Sequence, residues 1–487
     1  MNNRPWIIWL TCVAVALIAV GIFFYYNMFR QSKSELIEAI PTDAAFILAL
    51  NDNDGFVSGA KVLTPYLDEL LVLDAMPAFQ TIRKGLPAGE YDLTVSGHAN
   101  NDGVSVLFNM HADKAAFKRL LRALSIDPNN HTTFEGARIY TYGTNFKSVK
   151  FTYVNHIITL STDMELLKRA VVQYTHPKNL LSDKQFKEMY TLTEKNRKQN
   201  WLILNPKRYL SYFSSFMKED VSGKMSEALQ NAGWTALQLR FSGNEMVLSG
   251  YMLTEDSTGS NINLFENRNG DGMTLTDVYP SQVNWYAHIE TPNCRELRQV
   301  KSNTREGKLF QNLNPGEVGY FSLRADSVDY TYLLVLADTS KNALEALYGD
   351  KADSVRAAHP DGIFPTPGNI LPLAKAFAPD SLTCFVERTN ALVFAPSQEA
   401  IKAYLNSMRS NGPLSQNRYH PFVNEAVASA SVLNFVIFNN ESPYWNDLLS
   451  EKGKASRFGK EMRIFSVSCE TLDKANRLLP VNLYLLF

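Results

Sequence analysis

The sequence predicts an α+β protein: an N-terminal transmembrane helix followed by two tandem homologous halves, each a mainly antiparallel sheet with helices packed on one face. Three observations lead there. Trp6 to Phe29 contains no charged residue. Beyond it, short β-rich runs form hairpins joined by single amphipathic helices, which favours antiparallel pairing over a parallel α/β layout. The same succession of signals then occurs twice.

Residues 1–30 read as the membrane segment. As a helix, Trp6–Phe29 would reach ~36 Å at ~1.5 Å per residue, enough for a ~30 Å hydrocarbon core. Trp6 and Trp9 sit near one end and Phe23, Phe24, Tyr25 and Tyr26 near the other, as suits two headgroup regions. The apolar run exceeds a signal-peptide core and no small-x-small site follows it before Ser32, so an uncleaved signal anchor is expected. Arg4 on one side and Arg30 with Lys33 on the other leave the charge bias undecided. A short tail before a long folded body favours export. The expectation is therefore a single-pass bacterial inner-membrane protein, in contact with lipid through residues 6–29, with its bulk in the periplasm.

The repeat comes next. Pro41 in AIPTDAAFILAL answers Pro280 in VYPSQVNWYAHI, and Glu90 answers Glu317. Gly136 answers Gly362, and Asn155 in NHIITLSTDMELLKRAV answers Asn390 in NALVFAPSQEAIKAYL. Leu181-Ser182 answers Leu414-Ser415, and WLILN ending at Asn205 answers FVIFN ending at Asn439. The pairs are collinear, at a spacing of about 226–239 residues. The halves fall at 31–254 and 275–487, separated by a linker over 255–274 whose Gly, Ser, Asn and Asp content cannot bury much apolar surface.

Strands are expected at Ala45–Leu50, Tyr91–Ser96 and Val104–Asn109, with Asn101-Asp102-Gly103 as a hairpin turn. Asp113 precedes a helix whose Phe117, Leu120, Leu121 and Leu124 share one face. Further strands are expected at Ala137–Tyr142, Val149–Val154 and His156–Leu160. Thr162 and Glu165 then form a capping box before a second helix. Asn205-Pro206 and Ser442-Pro443 both read as helix starts. Thr235–Phe241 with Met246–Tyr251 closes the first half; Ile464–Cys469 with Val481–Phe487 closes the second. A sheet with helices on one face leaves its other face for solvent, the second half or a partner, and that face is where binding is expected.

The chain carries 48 Lys+Arg against 49 Asp+Glu, which excludes a strongly basic nucleic-acid binder. Its 45% hydrophobic and 20% charged content excludes a disordered chain. None of the eight histidines forms HExxH or a close helical pair. Cys294, Cys384 and Cys469 lack a C-x-x-C partner, and Cys384 and Cys469 read as small buried thiols. There is no G-x-S-x-G elbow or phosphate loop. The acidic stretches Asn51–Gly55 and Asn267–Gly272 lack the bidentate Glu of a calcium loop and read as a turn and a linker. The basic clusters Lys195–Lys198 and Lys454–Lys460 read as solvated loops. No cofactor or metal is expected. His288 and Glu290, alternating on one strand face, and His359 are the residues an enzymatic reading would use.

The charge-free N-terminal segment, the Ile40–Ala44 strand start IPTDA and the two α+β halves resemble a group of bacterial cell-envelope proteins carrying a domain of unknown function, DUF3352. The second half departs from that start, with Tyr-Pro-Ser-Gln at 279–282. The resemblance implies an envelope location and no activity. The functional expectation is a membrane-anchored envelope protein with a duplicated, non-catalytic ectodomain that binds or scaffolds another envelope component, a protein or a polymer. The alternative is a hydrolase-like envelope enzyme whose site assembles from residues distant in sequence.

Overall fold

The computed structural model describes residues 35–50, 92–100, 103–143, 148–174, 179–196, 199–229, 232–255, 275–290, 317–336, 343–367, 381–388, 391–422, 431–438, 444–473 and 475–487. Their 19 strands belong to one antiparallel sheet. Two compact units divide the chain.

The first unit comprises Met1–Asp43, Ala75–Ser96 and Ser105–Asp183. Among the strands β1 (Ala44–Leu50), β2 (Leu93–Asn100), β3 (Gly103–His111), β4 (Thr132–Phe134), β5 (Ala137–Tyr142), β6 (Val149–Val154) and β7 (Ile157–Ser161), it holds the order β4–β5–β6–β7–β3. The bounds of β5 and β6 are those the alternation predicts. Asn155 and His156 both take positive φ (50° and 65°), as a two-residue hairpin that keeps the strands twisting together requires.

Helix α1 (Lys114–Ala123) starts at Asp113, whose side chain accepts the Ala116 N–H. It lays Phe117 over Tyr140, Phe151 and Tyr153, stacking on Tyr153 at 4.8 Å between ring centroids. Helix α2 (Met164–Gln173) buries Leu166, Leu167 and Ala170 against Leu107 and Ile139. Its cap is Asp163, accepting the N–H groups of Glu165 and Leu166, rather than the expected Thr162.

The second unit comprises Ala44–Asp74, Gly97–Val104 and Lys184–Phe487. It contains β1 and β8 (Trp201–Leu204), β9 (Ala232–Ser242), β10 (Glu245–Thr254), β11 (Trp285–Glu290), β12 (Glu317–Ala325) and β13 (Val328–Leu336). β14 (Ile363–Pro365), β15 (Cys384–Arg388), β16 (Ala391–Ala395), β17 (Leu433–Phe438), β18 (Ile464–Cys469) and β19 (Leu478–Leu486) complete it. Hydrogen bonding runs β1–β8–β9–β10–β19–β18–β17–β11–β12–β13–β16–β15–β14. Within this list β11–β17–β18–β19 repeats the order β1–β8–β9–β10, and β14–β15–β16–β13 repeats the first unit's β5–β6–β7–β3.

Of the helices α3 (Lys184–Glu194), α4 (Pro206–Phe213), α5 (Glu219–Ala228), α6 (Ala343–Tyr348), α7 (Ala352–Ala358), α8 (Gln398–Asn411), α9 (Tyr444–Leu448), α10 (Glu451–Ala455) and α11 (Arg457–Glu461), α8 packs into a large buried core. Ser397 caps it, and its Ala400, Ile401 and Tyr404 pack with Tyr286, Phe321, Tyr332, Leu334 and Val436 on one sheet face. Tyr332 donates to the Ala400 carbonyl at 2.7 Å and Tyr404 to that of Val278 at 3.0 Å, so both phenols satisfy their hydroxyls inside this core. Asn205 caps α4 as expected, with Pro206 in its first turn.

Two expectations are corrected. The described strands do not form a pair of separate sheets. Strands β10 and β19, the last strand of each half, would each expose an unpaired edge; they pair with each other from Glu245↔Leu486 to Leu253↔Leu478, so the halves share one sheet. The single-pass, inner-membrane, periplasmic placement is the second correction. No helix among the described residues is long and apolar enough to cross a membrane. The longest, α8, has 14 residues and reaches ~21 Å, short of a ~30 Å core. Trp6–Phe29 lies outside the described residues, as do Asn51–Gly55, Asn101-Asp102, Asn267–Gly272, Cys294 and Ser442-Pro443.

Candidate functional site

One register line crosses the middle of the second unit. It runs Ala49 (β1), Trp201 (β8), Gln238 (β9), Ser249 (β10), Asn482 (β19), Ser468 (β18), Asn434 (β17), His288 (β11), each residue the Cα partner of the next. Cross-strand partners project to the same face, so these side chains form one row. Read inward from its ends, the row pairs equivalent strands of the two halves: Ala49 with His288, Trp201 with Asn434, Gln238 with Ser468, and Ser249 with Asn482. The line therefore passes through a pseudo-twofold point between Ser249 and Asn482. A second contact obeys the same symmetry. Met217 and Leu449 form an isolated bridge, flanked by Lys218 N–H to Leu448 O and Ser450 N–H to Phe216 O, each 2.9 Å.

The second-half end of the row is polar and buried. His288 is 0% exposed, and its Nε2 lies 3.1 Å from Glu317 Oε1 without meeting hydrogen-bond geometry; its Nδ1 has no partner. Glu317 also accepts the Leu275 N–H at 3.1 Å, which fastens the start of the 275–279 segment to β12. Glu290, on the same face of β11, is the Cα partner of Glu317 and is buried too. Asn434, 5% exposed, has no partner for Oδ1. The Tyr279 hydroxyl fills the space that a Cβ on Gly319 would need, and Gly319 is the β12 partner of His288. Burial, with Glu317 adding to it, raises the Tyr279 pKa well above the ordinary phenol value, so this hydroxyl keeps its proton.

The structure thus brings His288 and Glu290 together with Glu317, but not His359. His359 ends α7 with its ring against Phe364, beside β14. Five strand spacings separate β14 from β11, roughly 24 Å. His288, Glu290 and Glu317 are each at most 7% exposed, so a substrate reaches none of them in this conformation. The sequence does not single out Asn434; it marks Glu317 only as the repeat match of Glu90, and Tyr279 only as part of the Tyr-Pro-Ser-Gln departure at 279–282. A lone Asn inside the apolar run LNFVIF was the one available signal. Cys384 and Cys469 are buried free thiols whose pKa values burial pushes up to about 11 and about 12, which removes thiolate reactivity at neutral pH. Among the described residues no group of three or more His, Cys, Asp or Glu is arranged to hold a metal ion.

The opposite face of the same strands is apolar. Leu433, Phe435, Phe465, Val467, Leu483 and Met252 are half-buried there, on β17, β18, β19 and β10. Leu433, Val467, Leu483 and Met252 pack on a buried cluster of Cys469, Leu472, Leu479 and Val481. A sheet face that reaches solvent normally carries polar side chains. On β17 and β18 the polar row is buried, and Leu433, Phe435, Phe465 and Val467 of the apolar face are only half-buried. On β9, β10 and β19, by contrast, Gln238, Ser249 and Asn482 of the row are half-buried beside the exposed Arg240 and Tyr251, and Leu248, Val481 and Leu485 on the apolar face are buried.

No family model and no curated protein matches the chain. Among solved structures, crystal form IV of TP0453 is similar at 14% identity and a TM-score of 0.26, covering 45% of this chain and 79% of that one. Crystal form I of TP0453 gives 12% identity and a TM-score of 0.26, over 47% and 82%. Likenesses this distant carry no functional argument.

Proposed function

We propose that the protein is a non-catalytic binding or scaffolding protein that holds its partner on the apolar sheet face where the two halves join. The observation that carries this reading is the run of half-buried Leu433, Phe435, Phe465, Val467, Leu483 and Met252 across four adjacent strands. Contiguous apolar surface rimmed by polar residues marks interaction sites more often than isolated exposed side chains do. The strands beneath are held on both edges by further strands, so the surface is a rigid platform and binding costs little ordering. The resemblance to the DUF3352 group favours a partner from the cell envelope.

A photo-crosslinking residue at Val467 tests this. Adducts with one defined envelope component are expected, and Leu483→Glu should abolish them. The same residue at Tyr251, on the opposite face of β10, should give none. Identical adducts from both positions, or adducts insensitive to Leu483→Glu, would overturn the reading.

A further inference from the structure

We infer that Leu472 is a built-in plug at one end of the apolar face: the chain fills part of the face with its own side chain, and a partner gains that part by displacing the segment Glu470–Leu472. The inference rests on the docking role proposed above for this face.

The connection from β18 to β19 is not a plain hairpin. Cys469 pairs with Val481 and Asp473 with Leu478, so Glu470, Thr471 and Leu472 on one strand stand against Leu479 and Pro480 on the other. The extra residue makes a β-bulge, a device that re-aims side chains and interrupts the ladder. Alternation puts Phe465, Val467 and Cys469 on the apolar face; carried on without a bulge, it would leave Leu472 on the polar one. The bulge brings Leu472 back, and it lies buried in a cluster with Cys469, Leu479 and Val481. Against this cluster pack Leu433, Val467, Leu483 and Met252, four of the six side chains of the docking face.

The segment is anchored by one side chain and by its two ends. Leu472 is buried, whereas Glu470 and Thr471 are half-buried and Asp473 is exposed. The Glu470 N–H donates to the Pro480 carbonyl at 3.1 Å, and Asp473 and Leu478 exchange backbone hydrogen bonds of 2.9 and 3.1 Å. Leu472 can therefore swing off the face while both flanking pairs stay closed, a local opening that costs far less than unfolding. A face competent only when open binds its partner more weakly in proportion to the open fraction. The equivalent hairpin of the first half has no such bulge. There β9 and β10 keep one register from Thr235↔Met252 to Ser242↔Glu245 and close on Gly243-Asn244. The plug belongs to the second half, where the docking face lies.

Binding of the apolar dye anilinonaphthalene sulfonate to the purified full chain tests the plug without the partner. Leu472→Ser should raise dye fluorescence several-fold with an unchanged circular dichroism spectrum, and adding Leu483→Glu should cancel the rise. Adducts from a photo-crosslinking residue at Val467 should increase with Leu472→Ser as well. Should that variant not fold, hydrogen exchange over 470–473 in the unsubstituted chain gives the second readout: the dye speeds it by lifting the segment. Dye binding or Val467 adducts that Leu472→Ser leaves unchanged or lowers, a rise that survives Leu483→Glu, or exchange that the dye fails to speed would each overturn the plug. A Leu483-dependent rise in dye binding with no Val467 adduct from any variant would uphold the plug and overturn the partner reading alone.

Discussion

The two ends of the central register row lie in equivalent strands, in equivalent order, yet they are filled by opposite chemistry. At the first-half end Trp201 is buried, and its indole N–H donates to the Asn196 carbonyl at 3.3 Å beside Ala49. At the second-half end His288 and Asn434 are buried with polar atoms that no protein group satisfies, beside a buried Glu317 that accepts the Leu275 N–H. One backbone frame thus accepts an aromatic plug or a polar cluster. Secondary structure and register come from alternation and turns; what sits on the frame is free to diverge. The apolar plug should contribute stability, and the polar cluster should contribute something else.

The largest effect expected from this contrast is at the plug. Trp201→Ala removes a buried indole from a site walled by β1 and β9 and should cost about 3–5 kcal/mol, the range for large aromatic truncations. Chemical denaturation of the full chain would measure it. A loss below about 1 kcal/mol would mean that the site collapses on itself and that Trp201 is not what fills it.

Next comes Gly319→Ala, at the polar end. A methyl there meets the Tyr279 hydroxyl, which is held in the aromatic core against Tyr286 and Phe321. Overpacking of this kind costs about 1–3 kcal/mol. The double variant with Tyr279→Phe should recover only part of it, because the hydroxyl oxygen is the nearest atom to the added methyl while the ring carbon Cζ, at 2.7 Å, stays in place. Failure to recover any would place the strain in the ring or the β12 backbone instead.

The parts of the fold readable from sequence were the local ones. Strict alternation set β5, β6 and β18, and Asp113 and Asn205 announced their helices. Long-range choices were not legible: the pairing of β10 with β19, which merges the halves into one sheet, depends on two free edges meeting and leaves no residue signature. The candidate site was half legible. The alternation of His288 and Glu290 along one strand face is visible in WYAHIE, but Glu317, Asn434 and Tyr279 join them only through pairing across β12, β11 and β17. His359 looked equivalent in sequence and lies beside β14, five strands along the sheet from β11.

The helix caps extend the comparison to pH. Helices α2 and α8 occupy equivalent places after β7 and β16, capped by Asp163 and Ser397. Burial pushes the Asp163 carboxyl upward, but the Ser105 hydroxyl, the Leu166 and Glu165 N–H groups and Arg169 outweigh it, and its pKa falls below the ordinary value. A depressed carboxylate stabilises the fold above its unfolded pKa, and that stabilisation is lost as pH falls through the folded one. Each cap is worth about 0.5–2 kcal/mol as an alanine substitution. The Asp163→Ala loss should shrink on acidification from pH 6 to pH 3, whereas the Ser397→Ala loss should stay level. Parallel behaviour of the two would show that the charge on Asp163 contributes nothing.

The smallest expected effect is the most informative about the polar end. Asn434→Leu keeps the size of the side chain and removes an acceptor that no protein group satisfies, so the change in stability should lie within about 1 kcal/mol and can be favourable. The result matters through its contrast with Trp201→Ala, since the two positions are equivalent. A small Asn434 effect beside a large Trp201 effect means that the first half uses this point of the frame for packing while the second keeps a polar group there at no structural gain. A loss at Asn434→Leu of 3 kcal/mol or more would reverse that conclusion, because the carboxamide would then be as much a part of the core as the indole it replaces.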